Sequence, residues 1–409
     1  MINRIWLLLL SFAGLGMLYE LAHGHWEVIN QSVDALFDSV RLAVEITIGL
    51  IGLLCLWLGV LRIGEHAGLL THLGRVVEPF FHWLIPELPR KHPAFGQMAF
   101  NMAANALGLD NAATPSGLAA MKSLQTLNPS SVKASKAQSL FLVLNASSLT
   151  IFPVTIILYR AQMGAAQPAD VFLPILMATS ASTLVGLLVV AMLLRLPIWQ
   201  WKVMVTLGSV LLLFVAVYWG LSGLPPSQLA MVSSLLGNGF LLVLLAAILL
   251  LAVRRRVNAF ESFIHGAREG FELAIKILPY LVAMLAVIGL LRASGVLSAI
   301  ETALAGLCGW LGVDTEFVAA IPTALMKPLS GSGARAMMLD VMNAHGVDSL
   351  AARIASIVQG STETTFYVMA LYLGVVRLTR ARAALLASLA ADLAGIVTAI
   401  LVGYWFFSA

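Results

Sequence analysis

The chain has 409 residues, of which 60% are hydrophobic and only 11% charged, with a mean hydropathy of +0.93. Soluble domains carry about 25% charged residues, so this balance excludes an ordinary soluble enzyme and puts the chain in a lipid bilayer. The net charge of +4 does not indicate nucleic acid as a partner. The basic residues stand in short loops between apolar runs, where they orient helices.

In chain order, the apolar run Ile5 to Tyr19 follows Met1-Ile-Asn-Arg4. Its small-x-small cleavage pattern is weak and many spans follow, so it reads as a retained first helix rather than a cleaved signal. Runs of roughly 17–25 apolar residues are long enough to span. They fall near 4–20, 43–61, 139–158, 171–194, 203–220, 229–253, 277–292, 353–376 and 384–407 and predict nine spans. Segments 95–127 and 315–344 are moderately apolar but interrupted by Gly, Pro, Asn and Ser. They read as broken or re-entrant helices, which survive at membrane depth only where protein or a cavity covers them. Cys55 and Cys308 lie in apolar stretches without ligand spacing, so no disulfide, metal site or cofactor is expected.

Lys and Arg set the expected direction of the spans. With the N-terminus inside and both broken segments returning to the side they left, 18 of the 24 basic residues are cytoplasmic and five are external. That asymmetry follows the positive-inside rule. It puts 62–136 inside, 292–351 outside and the C-terminus outside, in a multi-pass protein of the bacterial cytoplasmic (inner) membrane.

The two broken segments are related. At a constant offset of 214, Ser116-Gly117 falls on Ser330-Gly331, Ser147 on Ser361, Thr150 on Thr364, Phe152 on Phe366 and Val154 on Val368. Upstream, Gly59-Val-Leu-Arg62 matches Gly289-Leu-Leu-Arg292. The expected organisation is an N-terminal helix (1–24), repeat one (25–194), connecting helices (195–259) and repeat two (260–409). The charge pattern gives the copies opposite orientations. The expected fold class is an all-α membrane protein of two inverted-topology repeats, as in many secondary transporters.

Polar residues concentrate at four places. Asn101 and Asn105 share a helix face. Asp110, Asn111, Thr114, Pro115 and Ser116 read as a helix end, a turn and a new helix with Pro in its first turn. Lys327, Ser330 and Ser332 occupy the matching segment of repeat two, without P-loop spacing. Two further motifs are Asn145-Ala-Ser147-Ser148-Leu-Thr150 and Gln359-Gly-Ser361-Thr362-Glu363-Thr364-Thr365. The expected substrate-binding groups are Asn101, Asn105, Asn111, Thr114, Ser116, Asn145, Ser147, Ser330, Ser332, Gln359, Ser361, Thr362 and Thr364. Helix breaks expose backbone groups that bind polar solutes or ions, while the same side chains also cap helices and ease close packing; the sequence leaves both roles open. Glu363, Asp392 and Lys327 are ionisable residues at membrane depth, which by default mark a functional site. They are candidates for ion or proton coupling, with a Glu363–Lys327 or Asp392–Arg382 ion pair as the alternative. No nucleophile elbow or triad order stands out, so catalysis is not expected.

Two sets of motifs carry a family resemblance. Leu56-Trp57-Leu58-Gly59, Asn105-x-Leu-Gly108-Leu-x-Asn111-Ala-Ala-Thr114-Pro115 and Leu124-Gln-x-Leu-Asn128 make residues 37–128 similar to spore maturation protein A. Ile277-Leu-Pro279-Tyr280, Arg292-Ala-Ser294-Gly295, Pro328-Leu-Ser330-Gly-Ser332-Gly333 and the Gln359–Tyr367 motif make residues 260–395 similar to spore maturation protein B. Both resemble the wider nucleoside-recognition or gate group, which includes the membrane part of ferrous iron transporter B. The resemblance implies transport, with a nucleoside-like solute as one candidate, and a role in cell-envelope or spore maturation. No GTPase motifs and no ligand cysteines occur, which argues against iron transport of that type. The leading reading is a secondary transporter or permease for a small polar solute, with the lipid bilayer as its surroundings and a homo-oligomer as one expected arrangement. The alternative is a non-transporting membrane partner or scaffold.

Overall fold

The structure, a computed structural model, describes residues 2–89, 91–108, 110–310, 312 and 314–408, with the backbone alone at 2 and 110–112. The order is α1 (Ile2–Ala22), α2 (Val28–His66), α3 (Leu69–Leu84), α4 (Ala94–Ala106), α5 (Asp110–Gln125), α6 (Lys136–Ser147), α7 (Val154–Gln162), α8 (Phe172–Leu194) and α9 (Trp201–Leu221). It continues with α10 (Pro226–Arg255), α11 (Ala259–Ala293), α12 (Val296–Trp310), a 3-10 turn (Glu316–Ala320), α13 (Ile321–Met326), α14 (Gly331–His345), α15 (Leu350–Ser361), α16 (Thr365–Val375) and α17 (Arg382–Phe407). Among the described residues, seven helices are long and apolar enough to cross a membrane: α1, α2, α8, α9, α10, α11 and α17. The chain is an all-α, multi-pass membrane protein.

Seven of the nine expected spans correspond to these continuous helices. The other two, 139–158 and 353–376, are each divided in two. The first is α6, a break, then α7; the second is α15, a break, then α16. Twelve residues of helix rise roughly 18 Å, short of the roughly 30 Å hydrocarbon core. The interruptions therefore fall deep in the fold. The local sequence explains them. α6 opens with a capping box in which Ser135 and Gln138 bond reciprocally. It ends where Ser148 turns left-handed (φ 36°) ahead of Pro153, which disfavours a helical residue before it. In the second break no proline intervenes. Thr362 is fully extended (φ −148°, ψ 170°), in a run of Ser and Thr whose side chains compete for backbone groups.

Segment 95–127 folds as the hairpin α4–α5. Its turn includes 107–108, where Gly108 adopts φ 70°, a conformation that costs glycine little. Pro115 then lies inside α5 rather than in the first turn of a new helix, as the motif suggested. The new helix starts at Asp110, five residues before the proline. Segment 315–344 becomes the 3-10 turn, α13 and α14, with Ser330 capping α14 through Gly333 N–H (3.1 Å).

Two helix pairs organise the bundle. Along α2 and α11, Gly289 meets Ala35 and Ser39, Gly270 meets Leu54, and Gly59 meets Phe263. Residue numbers rise on one helix as they fall on the other, so the pair is antiparallel along most of its length. Gly270 is required there: an added Cβ would lie 2.5 Å from the Leu54 carbonyl oxygen, and small residues are what let backbones approach this closely in a membrane. α8 and α17 are likewise antiparallel, with Gly186 against Ala391 and Gly395 against Ser182. At one end of the bundle, loop 130–134 pairs with 377–380, including Ala134 N–H to Arg380 carbonyl (2.9 Å). At the other, Arg160 of α7 is buried against Asp170 (3.0 Å) and Asp348 (3.1 Å), and Arg353 of α15 also reaches Asp170 (2.9 Å).

Candidate functional site

The two breaks are built alike. After α6, the N–H groups of Ile151 and Phe152 donate to the Ala106 carbonyl at the end of α4 (2.9 and 3.2 Å). After α15, the N–H of Phe366, the residue 214 positions beyond Phe152, donates to the Pro328 carbonyl ahead of α14 (3.1 Å). Each break is thus closed by the hairpin that precedes it, which satisfies backbone groups that would otherwise be stranded.

A helix opposite then completes each break, and here the two differ. In the first, Thr179 of α8 donates its hydroxyl to the Ser148 carbonyl (2.8 Å) and accepts from Thr150 N–H (3.2 Å). In the second, Asp392 of α17 accepts from the Thr365 hydroxyl (2.7 Å), at the first residue of α16. A neutral hydroxyl in one half is therefore matched by a carboxylate in the other. The N-terminus of α16 carries the positive end of the helix dipole, and the Lys327 charge acts on Asp392. The Lys327 ammonium donates to the Gln359 carbonyl (2.7 Å), one of the last-turn carbonyls of α15 that lack an intrahelical partner. The Gln359 amide in turn reaches the Gly331 carbonyl (3.5 Å).

Beside the breaks lies an amide network. Asn105 donates to the Asn145 side-chain oxygen (3.0 Å), and the Tyr372 hydroxyl of α16 donates to the same oxygen (3.3 Å). Asn145 donates back to the Phe141 carbonyl (2.9 Å). Asn101 donates to the Ala113 carbonyl (2.8 Å) and to the Tyr372 hydroxyl (3.4 Å). The halves of the chain meet directly where Glu363 N–H donates to the Ala146 carbonyl (2.9 Å). Among the described residues, the buried atoms Asn101 Oδ1, Gln359 Oε1 and Asp392 Oδ1 have no hydrogen-bond partner. Such atoms are costly unless something pairs with them.

The expected site residues divide into groups. Asn101, Asn105 and Asn145 come together with Tyr372. Lys327, Ser330, Ser332 and Gln359 come together at the start of α14, where Ser330 and Ser332 are 3.3 Å apart and the Thr364 hydroxyl faces Gly331. Thr362 and Asp392 form a third group with Thr365. The hydroxyls of Ser116, Ser147 and Ser361 donate to carbonyls of their own helices, at Ala113, Leu144 and Val358. Thr114 is half-buried on α5. The Asn111 side chain lies outside the described residues. Glu363 is half-buried and makes no ion pair within 4.0 Å among the described residues, so in place of the alternative pairing with Lys327 the structure has the Lys327–Gln359 bond. Asp392 is likewise not paired with Arg382. Tyr372, Thr179 and Thr365 complete the site. Thr365 stood in the Gln359–Thr365 motif, and Tyr372 carried the signal of a phenol in an apolar run whose hydroxyl needs a partner when buried; Thr179 had none.

Paired helix breaks lined by buried amides, hydroxyls and one carboxylic acid, packed among helices long and apolar enough to cross a membrane, define a multi-pass membrane protein with an internal polar centre. The chain belongs to the nucleoside-recognition Gate family, whose model matches residues 47–166 and 274–379. It is 36% identical to spore maturation protein A of Bacillus subtilis (strain 168) over 182 residues, covering 44% of this chain and 90% of that protein. It is 41% identical to spore maturation protein B of the same organism over 160 residues, covering 39% and 88%. No solved structure matches the chain.

Proposed function

We infer that the protein is a secondary transporter or permease whose central site is shared between two inverted repeats, and that it moves a small polar solute of the nucleoside class. The observation that carries this reading is the direct contact of the two helix breaks, Glu363 N–H to Ala146 carbonyl (2.9 Å), among unpaired buried polar atoms. Discontinuous helices meeting at the midplane are the recurring site of alternating-access transporters. The inverted arrangement is supported by the antiparallel pairs α2–α11 and α8–α17, which join corresponding helices of the two halves. The family model's two matches and the shared offset of 214 support the duplication, with 25–194 and 260–409 as its copies, like spore maturation proteins A and B joined in one chain.

The orientation follows from the basic residues. Loops 130–134 and 377–380, both in the cytoplasmic set, lie together, and so do the external Arg160 and the 347–353 segment. The N-terminus is then inside and the C-terminus outside, in the bacterial inner membrane. No catalytic step, cofactor or nucleic acid enters this mechanism. Amide groups suit a nucleoside because they both donate and accept, as its base and ribose require. A flux screen on protein reconstituted in liposomes, with labelled nucleosides and other small polar solutes, tests the reading. Saturable flux lost on Asn145→Leu supports it. Flux no faster than through protein-free liposomes for every solute overturns it in favour of a non-transporting scaffold.

A further inference from the structure

Arg335 stands in the second turn of α14, beyond the Ser330 cap, and is only part-buried. Among the described residues its guanidinium makes no hydrogen bond and no ion pair within 4.0 Å. It lies instead over an aromatic ring, with its central carbon 5.5 Å from the ring centre of Tyr159, within cation–π range. Tyr159 belongs to α7, so this contact joins the two halves of the chain. Acids of the neighbouring segments are held by other cations. Asp340, further along α14, bonds to Arg292 (2.6 Å). Asp170 and Asp348 bond to Arg160, the residue after Tyr159, and to Arg353.

The depth of Arg335 gives this its weight. α14 and α15 are tied at the second break, where the Gln359 amide reaches the Gly331 carbonyl (3.5 Å). Four residues of helix rise about 6 Å, so Arg335 lies between that break and the ion network at the Asp348 end. A charge at such depth is costly unless it is paired or wetted, and by default marks a functional site. Arginine cannot escape the cost by losing its proton. Nor does the shared fold call for the charge: at the offset of 214, Arg335 falls on Met121 and Tyr159 on Leu373, both apolar. Its donors form a planar fork that fits the paired oxygens of a carboxylate or a phosphate. Ser332, also part-buried, offers a hydroxyl on the same face of α14.

We propose that Arg335 binds an anionic oxygen group, a carboxylate or a phosphate, on the solute that enters the central site, with the Tyr159 ring holding the guanidinium in place. Its role rests on the transporter reading, which it narrows to anionic solutes, but the binding itself does not depend on flux. A neutral solute leaves the guanidinium without a counter-charge, whereas an anionic one supplies it between the two halves, where occupancy ties α7 to α14.

The test uses full-length protein in detergent micelles, in sodium chloride at constant ionic strength and fixed pH. Thermal midpoints are measured against uridine 5′-monophosphate and inorganic phosphate, against succinate and acetate, and against neutral uridine. A saturable rise with the first pair assigns a phosphate, and a rise with the second pair assigns a carboxylate. Arg335→Met should raise the half-saturating concentration by about a hundredfold, and Arg335→Lys, which keeps the charge but loses the fork, by about tenfold. Tyr159→Leu should weaken binding by about threefold, and Tyr159→Phe should not, because the hydroxyl has no hydrogen-bond partner. Without ligand, Arg335→Met should melt no lower than wild type, since it strands no acid; a structural arginine would do the opposite. The proposal is overturned if no anion raises the wild-type midpoint, or if Arg335→Met and Arg335→Lys keep wild-type affinity. Where Arg335→Met does not fold, Arg335→Lys decides. Anion binding without flux of any solute leaves this site standing and sinks the transporter reading. Saturable flux of neutral uridine, unchanged in Arg335→Met and with no anion binding, does the reverse.

Discussion

Replacing Arg160 with methionine removes the most deeply buried charge at the Asp348 end of the bundle. Its guanidinium is fully buried and contacts Asp170 (3.0 Å), Asp348 (3.1 Å) and the Val347 carbonyl (3.1 Å), joining α7 and its following loop to the start of α15. Asp170 is itself fully buried, and burial pushes its carboxyl above the usual range against the opposing pull of Arg160 and Arg353. Removing one partner of a buried pair costs about 3–5 kcal/mol because it strands the other charge. Asp170 keeps Arg353 at 2.9 Å, so Arg160→Met is expected to cost less than that range, about 2–3 kcal/mol. Equilibrium denaturation in micelles measures it. Without Arg160 the folded-state pKa of Asp170 rises further above its unfolded value of about 3.9, so the folded state binds the proton more tightly than the unfolded chain. The penalty is then absent below that unfolded value and complete above the folded one, and the variant should lie closer to wild type at about pH 5 than at about pH 8. Adding Asp170→Leu should recover most of the loss, since replacing a buried pair by apolar groups is often near neutral. A single variant within about 0.5 kcal/mol of wild type, or strictly additive losses in the double, would refute this account.

Three further outcomes follow from the packing and the loops. Tyr372→Phe removes the hydroxyl shared by Asn101 and Asn145 (3.4 and 3.3 Å); a loss of about 1 kcal/mol is expected, with solute flux falling by a larger factor than stability explains. Gly270→Ala drives a Cβ to 2.5 Å from the Leu54 carbonyl and should cost about 1–3 kcal/mol by overpacking, whereas Gly208→Ala, with nothing within 4 Å, should gain up to about 1 kcal/mol; thermal shifts on both compare them directly. In a chain lacking Cys55 and Cys308, cysteines at Glu87 and Glu316, both exposed, should react with an impermeant reagent from opposite sides of the membrane, and labelling from one side only would defeat the inverted arrangement.

Class, most spans and the polar motifs were legible in the sequence because they depend on composition and local pattern. Hydropathy alone picks out α1, α2, α8 to α11 and α17. It cannot see the breaks at 148–153 and 362–364, because an interruption of a few residues is averaged away between apolar flanks. The clue was present in each: Pro153 after Ser148 in one, and four hydroxyl residues around Glu363 in the other. The position of Pro115 was misread because the turn depends on Gly108, seven residues before the proline, and not on the Asp110-Asn111 pair. Thr179 was invisible for a different reason. A lone hydroxyl in an apolar helix usually bonds to its own backbone, and only the packing of α8 against the 148–150 break distinguishes it. Asp392 carried a signal as an intramembrane acid, but its partner did not, since Thr365 lies 27 residues away across a helix break.

The contrast between Glu363 and Asp392 yields the last prediction. Both are acids in apolar surroundings, and sequence alone favours Glu363, which stands in the richer motif. The geometry reverses that order. What joins Glu363 to the other half of the protein is its backbone N–H, bonded to Ala146, and any side chain except proline can supply that group. Asp392 acts through its carboxylate, which holds Thr365 and feels the charge of Lys327. Glu363→Gln is therefore expected to change stability by less than about 0.5 kcal/mol. Asp392→Asn should cost about 1–3 kcal/mol, the loss of a charged hydrogen bond in a buried site. In double-mutant cycles with Lys327→Met, the 392–327 pair should couple by at least about 1 kcal/mol and the 363–327 pair by almost nothing. Equal coupling of both acids to Lys327 would mean that the ammonium leaves the Gln359 carbonyl for Glu363 in a populated state, and the assignment of Asp392 as the acid served by Lys327 would fall.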